Sequence, residues 1–404
     1  MREWKKVKLG EICGRVTSGG TPKANVSSYY NPPTIPWLKT KEVNYCRITE
    51  TENYISEEGL KNSSAKLISP NSVIIAMYGQ GDTAGRVAIN KIPLATNQAC
   101  CNLTIDKSKA DYEFIYYQLC TLYDKLVSLK AGAAQPNLNA RIIKNLEIIM
   151  PSLPIQHRIA TILSRYDSLI ENYQKQIKLL EEAAQRLYKE WFVDLHFPGH
   201  ENTKIVDGVP EGWEKKKISD VCETVGGGTP STKVPAYYKG GRIKWVTPTD
   251  ITRNNCICLL DTDKKITEEG LRNSSTKMVP AGTILMTSRA SVGYFGIADF
   301  EVCTNQGFIS CIPIPNMQMY LLFNLMSRVD EIRKKAGGST YLEISKSVFR
   351  NFDIVCPSEI ILLQFQDKAS LVLKKEKTLS LQLRLLTEAR DRLLPKLMSG
   401  EITV

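Results

Sequence analysis

Two long amphipathic segments stand out in the pattern of apolar and polar positions along the chain. In Ile155–Trp191, apolar residues recur every three or four positions, and Glu and Lys fill the gaps, as in QKQIKLLEEAAQ. The same spacing returns in Ile361–Leu397. This near-heptad period predicts an α-helix with one apolar face in each segment. The first helix would be roughly 55 Å long at 1.5 Å per residue, and Pro198-Gly199 would end it.

The rest of the pattern consists of short β-branched runs separated by clusters of Gly, Asn, Ser and Pro. Runs such as SVIIAMY (72–78) and GTILMTS (282–288) predict strands, and the clusters between them predict turns. Helical patterns at Tyr112–Leu129 and Gln318–Lys335 follow these strands. Each region is therefore predicted to be a mixed α/β unit.

These two regions are copies of each other. Segments of the first region return in the same order in the second, at an offset that stays between 208 and 211 residues. They are WKKVKLGEIC (4–13) and WEKKKISDVC (213–222), SGGTPKANVSSYY (18–30) and GGGTPSTKVPAYY (226–238), IPWLKTKEV (35–43) and IKWVTPTDI (243–251), EEGLKNSSAKLI (57–68) and EEGLRNSSTKMV (268–279), and TNQA (96–99) and TNQG (304–307). The period is far too long for a solenoid repeat, so the chain contains a duplicated domain.

The duplication and the two helices together predict the architecture. A helix with a single apolar stripe needs a partner, and related helices packed about a twofold axis run antiparallel. We therefore predict an α+β fold with pseudo-twofold symmetry. Two duplicated mixed α/β domains, residues 1–150 and 206–357, would be joined by two long antiparallel coiled-coil helices within 151–205 and 358–404. The alternative is a pair of independent domains on flexible helical linkers.

Composition narrows the class of protein. A chain of 404 residues has room for two or three domains, and its net charge of +11 suits a polyanionic partner such as nucleic acid or an anionic membrane surface. No apolar run reaches the ~18 residues that span a bilayer, and the charged N-terminal sequence MREWKKVKLG lacks the apolar core of a signal peptide. We therefore predict a cytoplasmic protein without membrane contact, whose 11 Cys are mostly buried thiols.

Two motifs with catalytic or metal-binding potential have simpler interpretations. The run NPP (31–33) is typical of the active-site loop of enzymes that methylate an exocyclic amino group in DNA. The aromatic residue that would follow it and stack on a flipped base is missing here. The second copy has KGG (239–241) at this point, and both sequences favour a turn. His196 and His200 have a ligand-like spacing, but Pro and Gly between them break any helix. We predict neither a catalytic residue nor a metal site.

The order of the repeated segments resembles that of one known family. The GGTP…YY…W opening of each copy, EEGL(K/R)NSS, TNQ, the run LLEEAAQRLYKEWFVDLHFPG in the first helix and PEGWEKKKISDVCE (210–223) all resemble the specificity subunit of type I restriction–modification systems. The resemblance covers nearly the whole chain. No single motif is diagnostic, but their order, repeated twice, is highly specific.

The resemblance implies a function. Each copy would be a target recognition domain that reads one half of a split, asymmetric site in double-stranded DNA, and the paired helices would set the gap between the halves. The helices would also bind two adenine-N6 methyltransferase (M) subunits, which would carry S-adenosylmethionine, and two restriction/translocase (R) subunits would join for cleavage. This chain would be non-catalytic and would hold no cofactor of its own.

The duplication also indicates which residues read bases. Positions that match between the copies are expected to be scaffold, and positions that differ inside matched loops are expected to contact DNA. The matched loops are GQGDTAGR (79–86) with TSRASVGY (287–294), LKTKE (38–42) with VTPTD (246–250), and KAGAAQPNLN (130–139) with KAGGSTYLEIS (335–345). The predicted DNA-binding residues are Lys39, Lys41, Gln80, Asp82, Arg86, Lys130, Gln135, Asn137, Thr249, Ser288, Arg289, Tyr294, Lys335 and Tyr341.

The residue types suggest how these contacts are made. Arg suits guanine and Gln suits adenine, Tyr341 could stack on a base or touch a thymine methyl, and the matching Lys130 and Lys335 suit a shared phosphate contact. In the gap-free alignment of the first loops, Gly81 is opposite Arg289. The alternative for each position is a solvated loop side chain. Thr-Asn-Gln is identical in both copies, which favours a structural turn over a base contact.

Aromatic residues at the end of the first helix suggest a partner surface. Tyr188, Trp191 and Phe192 exceed what one helix seam needs, so we predict that some of them contact the methyltransferase subunit. Two other classes of protein remain as alternatives. A free-standing DNA methyltransferase would need its own S-adenosylmethionine site, and a coiled-coil adaptor would not need the basic charge.

Overall fold

The computed structural model describes residues 4–130, 137–254, 256–338 and 341–404. The chain forms two compact units. The first unit contains residues 1–169 and 386–404, and the second contains residues 170–385. The last part of the chain therefore belongs to the first unit.

The first unit contains short strands and helices in the order in which the sequence patterns place them. Its strands are β1 (Lys5–Lys8), β2 (Cys13–Ser18), β3 (Ile35–Leu38), β4 (Arg47–Ile48), β5 (Tyr54–Ile55), β6 (Leu67–Ile68), β7 (Val73–Ala76), β8 (Val87–Asn90), β9 (Leu94–Thr96), β10 (Cys100–Ile105) and β11 (Glu147–Met150). Its helices are α1 (Glu57–Lys61), α2 (Tyr112–Thr121), α3 (Tyr123–Ser128), α4 (Ala140–Lys144) and the start of α5 (Leu153–Tyr188).

The second unit repeats these elements after a short hairpin. Its strands are β12 (Ile205–Val206), β13 (Val209–Pro210), β14 (Glu214–Lys217), β15 (Cys222–Gly226), β16 (Ile243–Val246), β17 (Cys258–Leu259), β18 (Lys264–Ile266), β19 (Met278–Val279), β20 (Ile284–Thr287), β21 (Phe295–Ala298), β22 (Val302–Thr304), β23 (Phe308–Pro313) and β24 (Asp353–Cys356). Its helices are α6 (Ile218–Val221), α7 (Pro248–Thr252), α8 (Glu268–Arg272), α9 (Gln318–Ser327), α10 (Val329–Lys335), α11 (Lys346–Arg350) and most of α12 (Glu359–Ser399).

The sheets of the two units have the same topology, strand for strand. A five-stranded sheet has the order β2-β10-β7-β8-β4 in the first unit and β15-β23-β20-β21-β17 in the second. A four-stranded sheet has the order β5-β3-β9-β6 in the first unit and β18-β16-β22-β19 in the second. A two-stranded sheet joins the first strand of each domain to the last, β1 with β11 and β14 with β24. The predicted duplication of a mixed α/β domain is therefore confirmed.

The core of each unit forms on both faces of its five-stranded sheet. In β7, Val73 and Ile75 pack against α2, whereas Ile74 and Ala76 contribute to a second cluster on the opposite face. Because both faces are covered, β7 is a continuous apolar run without polar alternation. β20 divides its side chains in the same way, with Leu285 facing the smaller cluster.

The two long helices pack antiparallel. Within the second unit, the Tyr188 and Phe365 rings lie 6.1 Å apart, and Glu181 contacts Glu376. Residues with higher numbers on α5 therefore contact residues with lower numbers on α12, as in an antiparallel pair. Within the first unit, Leu163 of α5 and Leu397 of α12 belong to one core. Within each unit, the helix segments are thus part of that unit's core. At 36 residues, α5 matches the length predicted from the apolar period.

The NPP sequence lies in a turn, as predicted. A short 3-10 helix, Ser27–Tyr29, precedes it, and β3 begins two residues after it. The second copy has the same arrangement around KGG (239–241), between Pro235–Tyr237 and β16. In both copies the second Tyr of the motif donates a hydrogen bond to a Pro carbonyl, Tyr30 to Pro22 at 2.8 Å and Tyr238 to Pro230 at 2.6 Å.

The cysteines and histidines have structural surroundings. All 11 Cys are thiols, and seven of them are buried. His196 and His200 lie with ring centroids 5.4 Å apart, but the Nδ1 of His196 contacts Glu190 and that of His200 contacts the Phe197 carbonyl. Among the residues that the structure describes, no group of three or more His, Cys, Asp or Glu side chains is arranged to hold a metal ion.

Candidate DNA interface

The repeated motifs form a common scaffold beneath the predicted readout loops. The Trp37 indole donates to the Gly20 carbonyl at 3.1 Å, and the Trp245 indole donates to the Gly228 carbonyl at 3.0 Å. A Cβ on Gly20 would lie 2.3 Å from the Ala65 nitrogen, and one on Gly228 would lie 2.4 Å from the Thr276 nitrogen. The second Gly of each GGTP segment is therefore required by close backbone approach.

The Thr-Asn-Gln segment forms the turn that the sequence favoured, but it leaves the Gln exposed. The Asn97 carboxamide oxygen accepts from the Ala99 N–H at 3.2 Å, and Asn305 accepts from the Gly307 N–H at 2.9 Å. Thr96 and Thr304 are buried. The side chain of the exposed Gln is bound by the Thr of the GGTP segment in both copies, through the pairs Thr21–Gln98 and Thr229–Gln306.

The structure corrects the alignment of the first pair of loops. Gly85 N–H donates to the Ala76 carbonyl, and Gly293 N–H donates to the Thr287 carbonyl, so Ala76 corresponds to Thr287. The next residues agree, because Met77 N–H bonds to Ala99 and Ser288 N–H bonds to Gly307, the matching residues of the Thr-Asn-Gln turns. The loop between the matched residues is therefore 77–84 in the first unit but only 288–292 in the second. The gap-free alignment was wrong.

This shift changes the predicted pairs of readout residues. Arg86 still corresponds to Tyr294, but the counterpart of Arg289 is Tyr78 and not Gly81. Gln80 and Asp82 lie in the longer loop. Ser288 is 3% exposed, its N–H donates to the Gly307 carbonyl, and its carbonyl accepts from the Ile344 N–H. Its side chain therefore cannot reach a base in this arrangement. The prediction of Ser288 as a DNA contact is therefore wrong.

The loop of the first unit is held by an ion pair. Arg86 donates to the Asp82 carboxylate at 2.5 Å and to the side-chain oxygen of Asn44 at 3.0 Å. The Tyr123 hydroxyl donates to the Asp82 backbone carbonyl at 2.8 Å. The hydrogen bond from Arg86 lowers the pKa of Asp82, so the carboxylate is charged at neutral pH. Gln80 is exposed at the loop tip, and its backbone carbonyl accepts from the Thr83 hydroxyl.

The loop of the second unit borders a shallow recess of about 310 Å³. Arg289, Tyr341 and Gln306 line it together with Pro248, Ala290, Asn305 and Gly307. Ala290 has a left-handed backbone conformation with φ of +61°, and its N–H donates to the Leu342 carbonyl at 2.8 Å. Two predicted DNA contacts from different loops, Arg289 and Tyr341, thus lie at one place. Arg289 also lies 3.6 Å from the Glu343 carboxylate.

The second pair of loops has different surroundings. Lys39 donates to Asn53 at 2.9 Å and lies 5.1 Å from the Trp37 ring, so its ammonium group is partly engaged. Lys41 is exposed and lies 3.5 Å from Glu52. Thr249 is exposed on α7 and lines a cavity of about 830 Å³ beside α5 and α12, whereas its neighbour Pro248 lines the recess that contains Arg289.

The third pair of loops is described only in part. Lys130 is half-exposed after α3, Lys335 is exposed at the end of α10, and Asn137 is half-exposed. Leu138 N–H donates to the Met77 carbonyl as Ile344 N–H donates to the Ser288 carbonyl, so this loop adjoins the first loop in both units. Gln135 lies outside the described residues.

The aromatic residues predicted to contact a partner belong to the core of the second unit. Tyr188 is 4% exposed and Trp191 is 7% exposed, and the Phe192 ring lies 4.7 Å from that of Tyr320. The Tyr188 hydroxyl accepts a hydrogen bond from Asn324 at 2.9 Å. The expectation that these rings exceed the intramolecular packing is wrong, because α9 and the aromatic rings of Trp213 and Phe365 also surround them.

A buried ion network in the first unit was not predicted from the sequence. Asp167 of α5 accepts from Arg47 of β4 at 2.8 Å, from Arg390 of α12 at 2.8 Å and from the Tyr117 hydroxyl at 2.5 Å. Burial raises the pKa of Asp167, but these hydrogen bonds outweigh it and the pKa falls below its usual value. The network joins the sheet to both long helices of this unit.

The corresponding place in the second unit contains two carboxyl groups instead. Cys258 pairs with Ile297 as Arg47 pairs with Ile89, so Cys258 is the counterpart of Arg47. Glu376 of α12 accepts from the Cys258 N–H at 3.0 Å, and Glu181 of α5 accepts from the Ile257 N–H at 2.8 Å. Burial, together with the adjacent Glu181, raises the pKa of Glu376 to about 7.

Comparison with known proteins identifies the family. A family model described as "Type I restriction modification DNA specificity domain" matches residues 1–182 and 210–370. The chain therefore belongs to the type I restriction–modification DNA specificity family, as its repeated motifs predicted. It is a specificity subunit, a DNA-recognition component that is not itself catalytic.

Individual relatives agree with this assignment. The type I restriction enzyme MjaIX specificity subunit of Methanocaldococcus jannaschii is 28% identical over 420 residues, covering 100% of this chain and 94% of the relative. The HindI specificity subunit of Haemophilus influenzae is 23% identical over 477 residues, covering 100% of both. The crystal structure of the S subunit from M. genitalium matches 98% of this chain and 96% of its own with a TM-score of 0.65 at 16% identity, which shows a shared fold.

Within the residues that the structure describes, no helix combines the length and apolar character needed to cross a membrane.

Proposed function

We propose that this subunit binds a bipartite, asymmetric DNA site, one half with each unit, and positions adenine-N6 methyltransferase subunits on it. The observation that carries this proposal is the pair of topologically identical units whose equivalent loops carry different side chains. Tyr78 corresponds to Arg289, and Arg86 corresponds to Tyr294. A shared scaffold with different exposed groups is what reading two different half-sites requires.

The rest of the proposed complex follows from the family. Two methyltransferase subunits would bind S-adenosylmethionine and flip the target adenines, and two restriction/translocase subunits would join for cleavage. The net charge of +11 supports binding to the phosphate backbone. The complex would act on DNA in the cytoplasm.

Methylation mapping tests the recognition role. When this chain is co-expressed with the methyltransferase subunit encoded beside it, long-read sequencing should show N6-methyladenine in a two-part motif with a fixed gap. The motif should disappear when this chain is omitted.

Replacing residues 77–84 with the shorter 288–292 segment should change only one half of the motif. Methylation by this chain alone would instead require a catalytic site. Co-purification of the two subunits without any split motif would indicate an adaptor that does not read DNA.

One exposed face of α12, on which apolar residues alternate with Asp367, Lys374 and Thr378, is the surface that we propose for the methyltransferase subunit. Ile360, Leu363, Leu371 and Leu385 are 69%, 38%, 65% and 61% exposed. At 100° per residue they lie within roughly 80° of one another on the helix, whereas Ile361 and Phe365 on the other side are buried in the core. Aligned exposed apolar residues on one helix are typical of a protein–protein interface.

Charged substitutions on this face should prevent assembly without unfolding the chain. We expect the double variant Leu371→Asp/Leu385→Asp to lose co-purification with the methyltransferase subunit, because two carboxylates would be buried at the interface. Leu67→Asp, at an exposed leucine on β6, is the matched control and should co-purify as the unchanged protein does. Equal retention by both variants would exclude this surface as the docking site.

A further inference from the structure

The glutamine of the Thr-Asn-Gln segment has a role that the sequence did not suggest. Gln98 and Gln306 are exposed, although the turn on which they lie is otherwise buried or half-buried. In each unit the hydroxyl of a threonine 77 residues earlier donates to the glutamine side-chain carbonyl, Thr21 to Gln98 and Thr229 to Gln306. A surface glutamine ordinarily samples several rotamers, and this hydrogen bond favours the one in which the side-chain oxygen faces the threonine.

The hydrogen bond also determines what the glutamine offers to a ligand. Reading adenine needs the amide as both acceptor and donor, through its oxygen and its NH₂ group. Here the Thr hydroxyl already bonds to the oxygen, which keeps only one of its two lone pairs for a further donor. Within the described residues, the side-chain NH₂ of Gln98 and of Gln306 has no hydrogen-bond partner. Each glutamine therefore presents two N–H donors, which suit an acceptor such as a phosphate oxygen.

The position of Gln306 connects this donor to the DNA. Gln306 lines the same recess as Arg289 and Tyr341, the exposed residues that differ between the units. The Thr–Gln pair is thus identical in the two units, but the residues around it differ. The first unit has Tyr78 at the position where the second unit has Arg289. An identical exposed group that contacts DNA in two units reading different half-sites has to contact a feature that both half-sites share, such as the phosphate backbone.

We propose that Gln98 and Gln306, each fixed by its threonine, make the same sequence-independent contact with the DNA phosphate backbone and set the register of each unit on its half-site. Thr21 and Thr229 are positioning residues that act through the glutamines. This inference rests on the proposed function, since it requires that both units bind DNA. The proposed contact would increase the affinity for both half-sites. It would not contribute to discrimination between bases in either half-site.

Donor and acceptor substitutions at Gln306 test the proposal. The complex of this chain with its methyltransferase subunit is titrated onto a duplex that contains the mapped motif and onto a duplex that lacks it. Gln306→Ala should weaken binding to both duplexes by the same factor, roughly five- to twentyfold. Gln306→Glu, which keeps the shape but offers only acceptors, should weaken binding further. Gln306→Lys, which offers only donors, should restore binding and steepen its dependence on salt by about one phosphate contact.

The methylation motif separates a backbone contact from base reading. All three variants should methylate the same motif as the unchanged protein, and Gln98→Ala should behave as Gln306→Ala does. Relaxed specificity at one base of the second half-site would overturn the proposal, as would unchanged affinity of Gln306→Glu. Thr229→Val should reproduce part of the loss, and Thr229→Ser should not. If the unchanged complex shows no split motif at all, the proposed function fails, and that result is distinct from a failure of this contact.

Discussion

Asp167→Ala is expected to destabilise the protein by about 3–5 kcal/mol, because it would leave the buried Arg47 and the half-buried Arg390 without their shared carboxylate. The side chains of Asp167 and Arg47 are 7% and 6% exposed, and Arg390 bonds to the other oxygen of Asp167 at 2.8 Å. Arg47 and Arg390 already lie close together on this carboxylate, so removing Asp167 would leave their two positive charges without the anion between them. The change would also remove the acceptor of the Tyr117 hydroxyl. Chemical denaturation of the chain measures this loss.

Asp391→Ala is the matched control. Asp391 also pairs with Arg390, at 2.7 Å, but its side chain is 57% exposed, so its removal should cost less than about 1 kcal/mol. Replacing two members of the network by apolar residues, as in Asp167→Leu/Arg47→Met, should recover part of the loss, since the buried Arg47 charge is then absent and Arg390 keeps its contact with Asp391. A loss for Asp167→Ala no larger than that for Asp391→Ala would show that the network does not stabilise the first unit.

The pH dependence of this network has a definite sign. The pKa of Asp167 is lower in the folded state than in the unfolded chain, so the unfolded state binds the proton first as the pH falls. The contribution of Asp167 is therefore fully present above the ordinary carboxyl pKa and is lost only as the pH falls through the lowered value. At neutral pH this contribution should be constant.

The sequence predicted the features that repeat at a recognisable period or offset. The two long helices followed from apolar spacing, and the duplicated domain followed from segments such as EEGLKNSS and EEGLRNSS. Both signals are local, so they can be recognised before any tertiary contact is known. The NPP turn was predictable for the same reason, because the second copy supplied an independent sequence for the same backbone.

Loop correspondence was not predictable, because it depends on hydrogen bonds between distant segments. A gap-free alignment kept Gly85 opposite Gly293 but missed the three extra residues that precede Gly85. Only the bonds of Met77 to Ala99 and of Ser288 to Gly307 show where the loops begin. The error assigned Ser288 to the surface, although it occupies a buried position at the end of β20.

The aromatic cluster and the buried charges were missed for a related reason. The pattern of α5 was interpreted as the seam of a two-helix pair, but α9 also packs against it, so Tyr188 and Trp191 are core residues. Asp167 was one polar position among many on an amphipathic helix. Its partner Arg47 is 120 residues away, and nothing in either local sequence indicates that both are buried.

The buried polar groups show that the duplicated units diverged inside as well as in their loops. Where the first unit combines Arg47 with Asp167, the second combines Cys258 with Glu376 and Glu181, so an opposite-charge cluster is replaced by two carboxyls. Two carboxylates so close cannot both ionise without cost. The second unit should therefore respond to pH in a way that the first does not.

Glu376→Gln is expected to stabilise the protein at pH 8 but much less at pH 5. Burial raises the pKa of Glu376 in the folded state, so the unfolded chain loses its proton first as the pH rises. Stability therefore falls between the ordinary carboxyl pKa and about 7, and the full cost is present above that range. Each pKa unit corresponds to about 1.4 kcal/mol, so the rise from 4.5 to about 7 sets the gain at pH 8 on the order of 3 kcal/mol. The side-chain amide of this variant would still accept from the Cys258 N–H and could donate to Glu181.

Thermal unfolding at the two pH values, combined with hydrogen exchange, isolates this effect. The amides of Ile257 and Cys258 donate to the two carboxyls, so at pH 8 they should exchange more slowly in Glu376→Gln than in the unchanged protein, at equal intrinsic exchange rates. Glu182→Gln, on the same stretch of α5 but paired with Arg186 at the surface, should change neither measurement. A gain of equal size at both pH values would show that Glu376 is ionised throughout, which would mean that solvent reaches the pair and that burial does not control its proton.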